Sequence, residues 1–193
     1  ELEYSLKLAP ELPRIIGNII HFELQKLNDV TYTHESMEQK QDQWNRQLKQ
    51  NQITEKQTLE KSITKIQKAL SQTQQCPQGQ WILSNQHEFS ASEFSVNHYA
   101  QGKIHHYIID RIIVNKNTVW IIDYKTAQPE GNEEQWIKDE IELYRTQLMN
   151  YKQAIKALYP KHDIKLSLYF PLCKQRWQEI TNQAKNHPHQ LIN

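Results

Sequence analysis

Residues 104–125, IHHYIIDRIIVNKNTVWIIDYK, form an apolar stretch interrupted by two isolated acids, Asp110 and Asp123, with Lys125 two positions beyond the second. Two β-rich runs, roughly 104–114 and 118–125, flank Asn115-Lys116-Asn117, a polar hairpin-type turn. Side chains alternate faces along a strand, so Val119, Ile121, Asp123 and Lys125 share one face and Trp120, Ile122 and Tyr124 take the other. By the same count Asp110 lies with Ile108 and Ile112, and an antiparallel hairpin sets it near Asp123. Two carboxylates and an ammonium then converge in a largely apolar sheet. Unpaired buried carboxylates are costly, and a hard cation with oxygen ligands is the natural counter-charge. The alternative is structural: Asp123 pairs with Lys125, and Asp110 with Arg111 or another base at a strand edge. Adjacent strand residues face opposite ways, which weighs against the Asp110–Arg111 pair.

The 193 residues fit one domain, with a helical region over about 12–75, an α/β core over about 79–172 and a tail over 173–193. No apolar run approaches the ~20 residues that span a bilayer, and the opening ELEYSLKLAP lacks the basic and apolar regions of a signal peptide, so a cytoplasmic location is expected. The chain begins on Glu1 without an initiating methionine and reads as a piece of a longer polypeptide. Its two cysteines, Cys76 and Cys173, are too few for a four-thiolate iron–sulfur cluster or an all-cysteine zinc site. With 23 basic and 22 acidic residues the net charge is +1, so no overall field draws a polyanion to the domain. Any nucleic acid must be delivered to it or gripped locally.

Ile15, Ile16, Ile19, Ile20, Leu24 and Leu27 recur at helical spacing and predict a helix over about 12–28, with Gly17 and His21 on one side of it. Residues 31–75 are rich in Gln, Lys, Glu and Asn, yet Leu59, Ile63, Ile66 and Leu70 keep a helical stripe, and Thr54 with Gln57 matches a capping box at its start. The part over 35–50, with Trp44 and Leu48, predicts another amphipathic helix. This polar region reads as a solvated face on which Lys40, Arg46 and Lys49 are candidates for phosphate contact. Trp81-Ile82-Leu83 and Phe89 to Val96 read as short strands, 126–132 as a loop, 138–159 as a helix and 165–170 as a strand. The order implies an α/β domain with helices on the faces of a central mixed sheet. His105 and His106 face opposite sides of one strand and read as ordinary strand residues. No phosphate-binding motor loop is present, so any motor lies elsewhere.

Five pieces of the chain fall in a familiar order: Gly17-Asn18-Ile19-Ile20-His21, Glu93, Ile109-Asp110-Arg111, Ile121-Ile122-Asp123-Tyr124-Lys125-Thr126, and Tyr144-Arg145-Thr146-Gln147-Leu148-Met149-Asn150-Tyr151. In that order and at those intervals, the chain resembles the C-terminal nuclease domain of RecB/AddA-type helicase–nucleases, within the PD-(D/E)xK superfamily. The resemblance runs from Gly17 to about Leu172. It implies the PD-(D/E)xK fold and a site in which His21, Asp110, Asp123 and the main-chain carbonyl of Tyr124 hold Mg²⁺ or Mn²⁺. It implies further that Lys125 positions or polarises the attacking water, that Gln147 and Tyr151 support the site or the DNA backbone, and that Glu93 is an auxiliary acid. Ile109 stands where the superfamily name has proline, a position that supplies backbone shape and no ligand atom. Relatives with an iron–sulfur cluster carry four cysteines in one early and three late positions, so this chain resembles the cluster-free branch.

The resemblance implies a metal-dependent exodeoxyribonuclease that acts in double-strand-break repair and recombination. Its partners would be DNA, helicase motor domains of the same polypeptide and a second subunit. The chemistry suits the residues: carboxylates favour magnesium, which keeps waters for exchange, and a single imidazole moves preference slightly toward manganese. A bound ion of this kind activates water and neutralises charge on the phosphate, and Lys125 adds a fixed positive charge. The competing reading is a non-catalytic DNA-binding or partner-docking domain that keeps the fold, against which stands the presence of every ligand. A nuclease of the CRISPR-adaptation or restriction groups is a third reading, and the Y-R-x-Q-L-x-x-Y helix argues against it.

Overall fold

The computed structural model describes residues 11–28 and 36–181; the expectations for the opening segment, for 31–35 and for 182–193 of the tail lie outside the described residues. Among the described residues four helices come first: α1 (Glu11–Asn28), α2 (Met37–Gln50), α3 (Lys56–Gln75) and α4 (Pro77–Leu83). Strands β1 (Phe89–Ala100), β2 (Lys103–Asn115) and β3 (Thr118–Tyr124) follow, then α5 (Glu133–Leu158), β4 (Asp163–Tyr169) and β5 (Trp177–Ile180). The five strands make one mixed sheet in the order β1-β2-β3-β4-β5, antiparallel except where β3 and β4 run parallel across the α5 crossover. Among the described residues no helix is long and apolar enough to cross a membrane.

Alternation along β3 decides which layer covers which face. Trp120, Ile122 and Tyr124 meet the apolar stripes of α1 to α3, in a core that includes Ile16, Ile20, Leu24, Trp44, Leu48, Ile66 and Leu70. Val119 and Ile121 meet α5 through Leu148, Tyr151 and Ile155. Both faces are therefore dry, and each fully buried Ile or Leu contributes roughly 1.5–3 kcal/mol.

Several boundaries differ from the sequence reading for local reasons. Trp81-Ile82-Leu83 ends a helix and is not a strand. Pro77 opens that helix at its first turn, and the Cys76 thiol accepts the Gly79 N–H at 3.2 Å, a start signal that a three-residue apolar run cannot outweigh. The cap of α3 is Glu55, one residue past Thr54, because its carboxylate takes both the Gln57 and Thr58 N–H groups. Helix α5 starts earlier, at Glu133, because Asn132 caps it by accepting the Gln135 N–H, which places Glu133 and Glu134 at the positive helix end. Strand β5 lies inside the segment read as tail; its four residues are too short for a period, and Trp177 is held by Trp81 and Trp120 at centroid distances of 5.8 and 5.2 Å. Lys40 is buried with its Nζ 3.6 Å from Glu23 Oε2, tying α2 to α1, and so is no phosphate contact. Arg46 and Lys49 remain exposed.

One irregularity positions the site. Ala91 and Phe94 both pack against the α5-side core, and so do Ile109 and Ile112, although in a regular strand an odd and an even residue point to opposite sides. The buried side of the β1–β2 pair switches at Glu93, whose φ is +49°, opposite Asp110. Beyond the switch Ile109 faces the core and Ile108 becomes exposed, so Ile108 and Ile112 do not share a face as simple alternation predicts.

Candidate active site

The β2–β3 pairing runs from Asn115–Thr118 to Arg111–Ile122, and continuing that register sets Asp110 level with Asp123. There the sheet forks: β2 continues beside β1 to Lys103, while β3 ends at Tyr124. Asp110 sits in the crotch, where its Oδ2 accepts the Tyr124 N–H at 2.7 Å. Lys125 N–H donates to the Tyr169 carbonyl at 2.9 Å, which holds the exit of β3 against β4. Arg111, the structural partner considered for Asp110, points away and donates to the Ile82 and Ser84 carbonyls and the Ser90 hydroxyl.

Helix α1 brings His21 over the fork. Its Nε2 lies 3.1 Å from the Tyr124 carbonyl, and its Nδ1 lies 3.5 Å from Asp110 Oδ1. A carbonyl only accepts, so Nε2 carries a proton. A neutral ring then turns the Nδ1 lone pair toward a carboxylate oxygen, an arrangement that asks for a second proton or a cation between them. Burial lowers the His21 pKa, but the hydrogen bond to Asp110, the charges of Asp110 and Asp123 and the Tyr124 carbonyl together raise it above 6.5. Glu93 completes the corner: one ligand atom each from His21, Glu93 and Asp110 lie within 4.8 Å of one another. Burial raises the Glu93 carboxyl, and the charge of Asp110 raises it further.

Asp123 faces the α5 side and is 3% exposed. Burial, and then the charge of Asp110, pushes its carboxyl up to about 6 even though Lys125 Nζ lies 2.5 Å from Oδ2. Lys125 in turn stands 3.5 Å over the centre of the Tyr144 ring, a cation–π contact that fixes the ammonium on the face shared with Asp123. One turn along α5, the Gln147 amide donates to the Tyr151 hydroxyl at 2.6 Å. Burial lifts the Tyr151 phenol up to about 12, so it stays a neutral donor.

Seven residues singled out in the sequence, His21, Glu93, Asp110, Asp123, Lys125, Gln147 and Tyr151, line one cleft of about 540 Å³. Tyr124 contributes its carbonyl while its ring lies in the core against the His21 ring, edge-on at 5.7 Å. The cleft also holds Asn18, Phe22, Gln25 and Ile108, to which the sequence reading gave no site role. Asn18 and Gln25 lie three before and four after His21, so helical spacing from that histidine was the signal that finds them. A larger cavity of about 650 Å³ lies beyond Phe22, against Arg111 and His87; it holds none of the paired acids.

The donor set fits a divalent cation. Ligands of one Mg²⁺ at ~2.1 Å stand at most ~4.2 Å apart, so small side-chain adjustments bring His21, Glu93 and Asp110 onto one ion. Asp123 and the Tyr124 carbonyl border the same cleft. Such an ion supplies Lewis acidity and charge neutralisation.

A metal ion held by these groups would compete with protons for them, and the sign follows from the shifts. His21 charged stabilises the fold below pH 6.5, and that stability is lost as pH rises through its raised pKa. Asp123, ionised near 3.8 when unfolded and near 6 when folded, likewise holds more protons in the native state and loses stability as pH rises. Metal-free protein is expected to melt higher at pH 6 than at pH 8, and millimolar Mn²⁺ to raise the melting temperature more at pH 8 than at pH 6. Thermal melts in EDTA and in Mn²⁺ check both signs; a larger metal effect at pH 6 would exclude these groups as the ligands.

Gly17 shows why the first motif needs its glycine. A Cβ there would lie 2.9 Å from the Thr126 hydroxyl, so α1 approaches the exit of β3 through a missing side chain. Gly17→Ala gains about 1 kcal/mol of helix propensity and loses a similar amount to crowding. The expected outcome is near-unchanged stability with Mn²⁺ affinity lowered several-fold as α1 and His21 shift, measured by melting and calorimetry.

The PD-(D/E)XK nuclease superfamily matches the chain over residues 1–191, and the chain belongs to that superfamily. Among solved structures it is similar to protein VC1899 from Vibrio cholerae, at 12% identity and a TM-score of 0.30, over 84% of this chain and 48% of that one. No curated protein matches it.

Proposed function

We propose that this chain is a metal-dependent deoxyribonuclease of exonuclease type, the nuclease module of a RecB/AddA-type helicase–nuclease that acts in the cytoplasm in double-strand-break repair and recombination. The observation that carries the reading is the fork, where the crotch acid Asp110, the buried Asp123 and the ammonium of Lys125 converge with His21 and Glu93 on one cleft. The ordered motifs of α1, the β2–β3 hairpin and α5 support the helicase-linked branch, with motor domains of the same polypeptide and a second subunit as partners.

His21, Asp110 and Asp123, with the Tyr124 carbonyl and Glu93, would hold Mg²⁺ or Mn²⁺. Lys125 presents its positive charge at the mouth of Asp123, where it orients a water nucleophile and offsets charge that grows on the phosphate oxygens. Tyr151 and Gln147 hold a neutral donor beside the cleft for a phosphate oxygen. End-labelled single-stranded and duplex DNA, incubated with Mg²⁺, Mn²⁺ or EDTA, test this reading. Cleavage in either metal and none in EDTA is the expected result; no cleavage of either substrate in any divalent metal overturns it.

A further inference from the structure

Past the fork, β1 and β2 leave the sheet as a two-stranded arm, Phe94–Ala100 paired with Lys103–Ile109, about 20 Å long at ~3.3 Å per residue. Its turn, Gln101-Gly102, has positive φ at both residues, the twist-matched turn of a tight hairpin. The inner side is anchored: Val96 and Ile109 are buried, and Tyr107 meets Tyr151 edge-on at 5.6 Å. The outer side therefore has a fixed direction. It carries Ser95, Asn97 and Tyr99 opposite Ile108, His106 and Ile104.

Three features of that outer side go together. Tyr99, Ile104 and Ile108 are 71%, 73% and 48% exposed, an apolar strip of a kind that soluble surfaces rarely leave without a use. From Phe94 to Ile109 the chain contains no Asp or Glu, and His106 is the one titratable base on the outer side, Lys103, His98 and His105 falling in the inner register. Ile108 also lines the catalytic cleft, and on the same face the hydrogen-bonded pair of His106 and Asn97 leads from it to Tyr99 and Ile104 at the arm's tip.

We infer that this arm is a single-strand guide: its outer face receives a DNA strand as it enters or leaves the cleft, with unstacked bases lying on Tyr99 and Ile104. This rests on the nuclease reading and narrows its substrate to single strands. An acid-free face that opens into the phosphate-cleaving cleft suits a polyanion, and the exposed Tyr99 and Ile104 at its far end suit the bases of that same polyanion. Duplex DNA keeps its base faces stacked on one another and presents phosphates, for which this face, with no lysine or arginine among its residues, is poorly built. A protein partner would gain nothing from the lack of acids or from the continuity with the cleft.

The test is fluorescence anisotropy in EDTA with labelled oligothymidylate, an abasic deoxyribose-phosphate chain of equal length and a duplex. Tyr99→Ala is expected to weaken oligothymidylate binding about tenfold and Tyr99→Trp to retain it, with the abasic chain and the duplex bound weakly and alike by all three proteins. Equal oligothymidylate binding by wild type and Tyr99→Ala, an equal loss on the abasic chain, or no wild-type binding in EDTA overturns the guide. Self-association lost in Tyr99→Ala with DNA binding intact, read by sedimentation, would make the arm a protein interface and also overturn it. Metal-dependent cleavage by wild type, measured separately, tells a failed guide from a failed nuclease reading.

Discussion

Asp123→Asn is expected to lower metal-dependent cleavage roughly a thousandfold and, at the same time, to make the metal-free protein more stable at pH 8. The two effects have one cause. The Asp123 carboxyl titrates near 6, above its ordinary 3.8, with Lys125 beside it, so the full surroundings disfavour its charge even after that attraction is counted. At pH 8 the folded protein is forced to hold the anion, and a neutral amide of the same shape relieves a strain on the order of 1 to 3 kcal/mol while still accepting from Lys125. What makes the residue costly is what would make it useful, because a divalent cation would recover the cost on binding. Single-turnover cleavage and thermal melts in EDTA measure the pair of effects. Cleavage within tenfold of wild type would remove Asp123 from the chemistry; a lower melting temperature in EDTA at pH 8 would make its carboxylate a structural partner of Lys125.

The sequence was legible where one physical rule dominated. Alternation assigned Trp120, Ile122 and Tyr124 to one face of β3 and Val119 and Ile121 to the other, as found. Helical stripes located α1 and α3 because their apolar residues are spaced for one core. The convergence of the candidate site residues on one cleft was legible for a related reason: acids in an apolar strand stand out, and the motifs around them carried the rest. Reading failed where two rules competed. At Trp81 the helix start signal at Pro77 overrode an apolar run. At Ile108 a backbone switch at Glu93 overrode alternation, and no composition rule marks a glutamate that will adopt a positive φ. Lys40 was misplaced because its buried partner Glu23 lies on another helix, a pairing visible only once α1 and α2 are packed.

Lys125→Met separates the two duties that a cation beside Asp123 performs. Lysine and methionine have similar stems, so the apolar contact with Tyr144 largely survives while the charge is lost. The ammonium and a divalent ion would both draw on the Asp123 carboxylate, and like charges a few ångströms apart repel by about 1 kcal/mol or more even in a well-screened site. Removing the ammonium therefore strengthens metal binding, and calorimetry with Mn²⁺ in the absence of DNA is expected to read a several-fold gain in affinity. Cleavage moves the other way. With saturating metal, the variant would lack the fixed charge proposed to position the attacking water and offset charge at the phosphate, and its single-turnover rate is expected to fall by about 10²- to 10³-fold. A structural lysine predicts a different pattern, in which lost stability brings metal affinity and rate down together. Tighter metal binding with slower cleavage is the combination that only a lysine acting on the reacting groups produces.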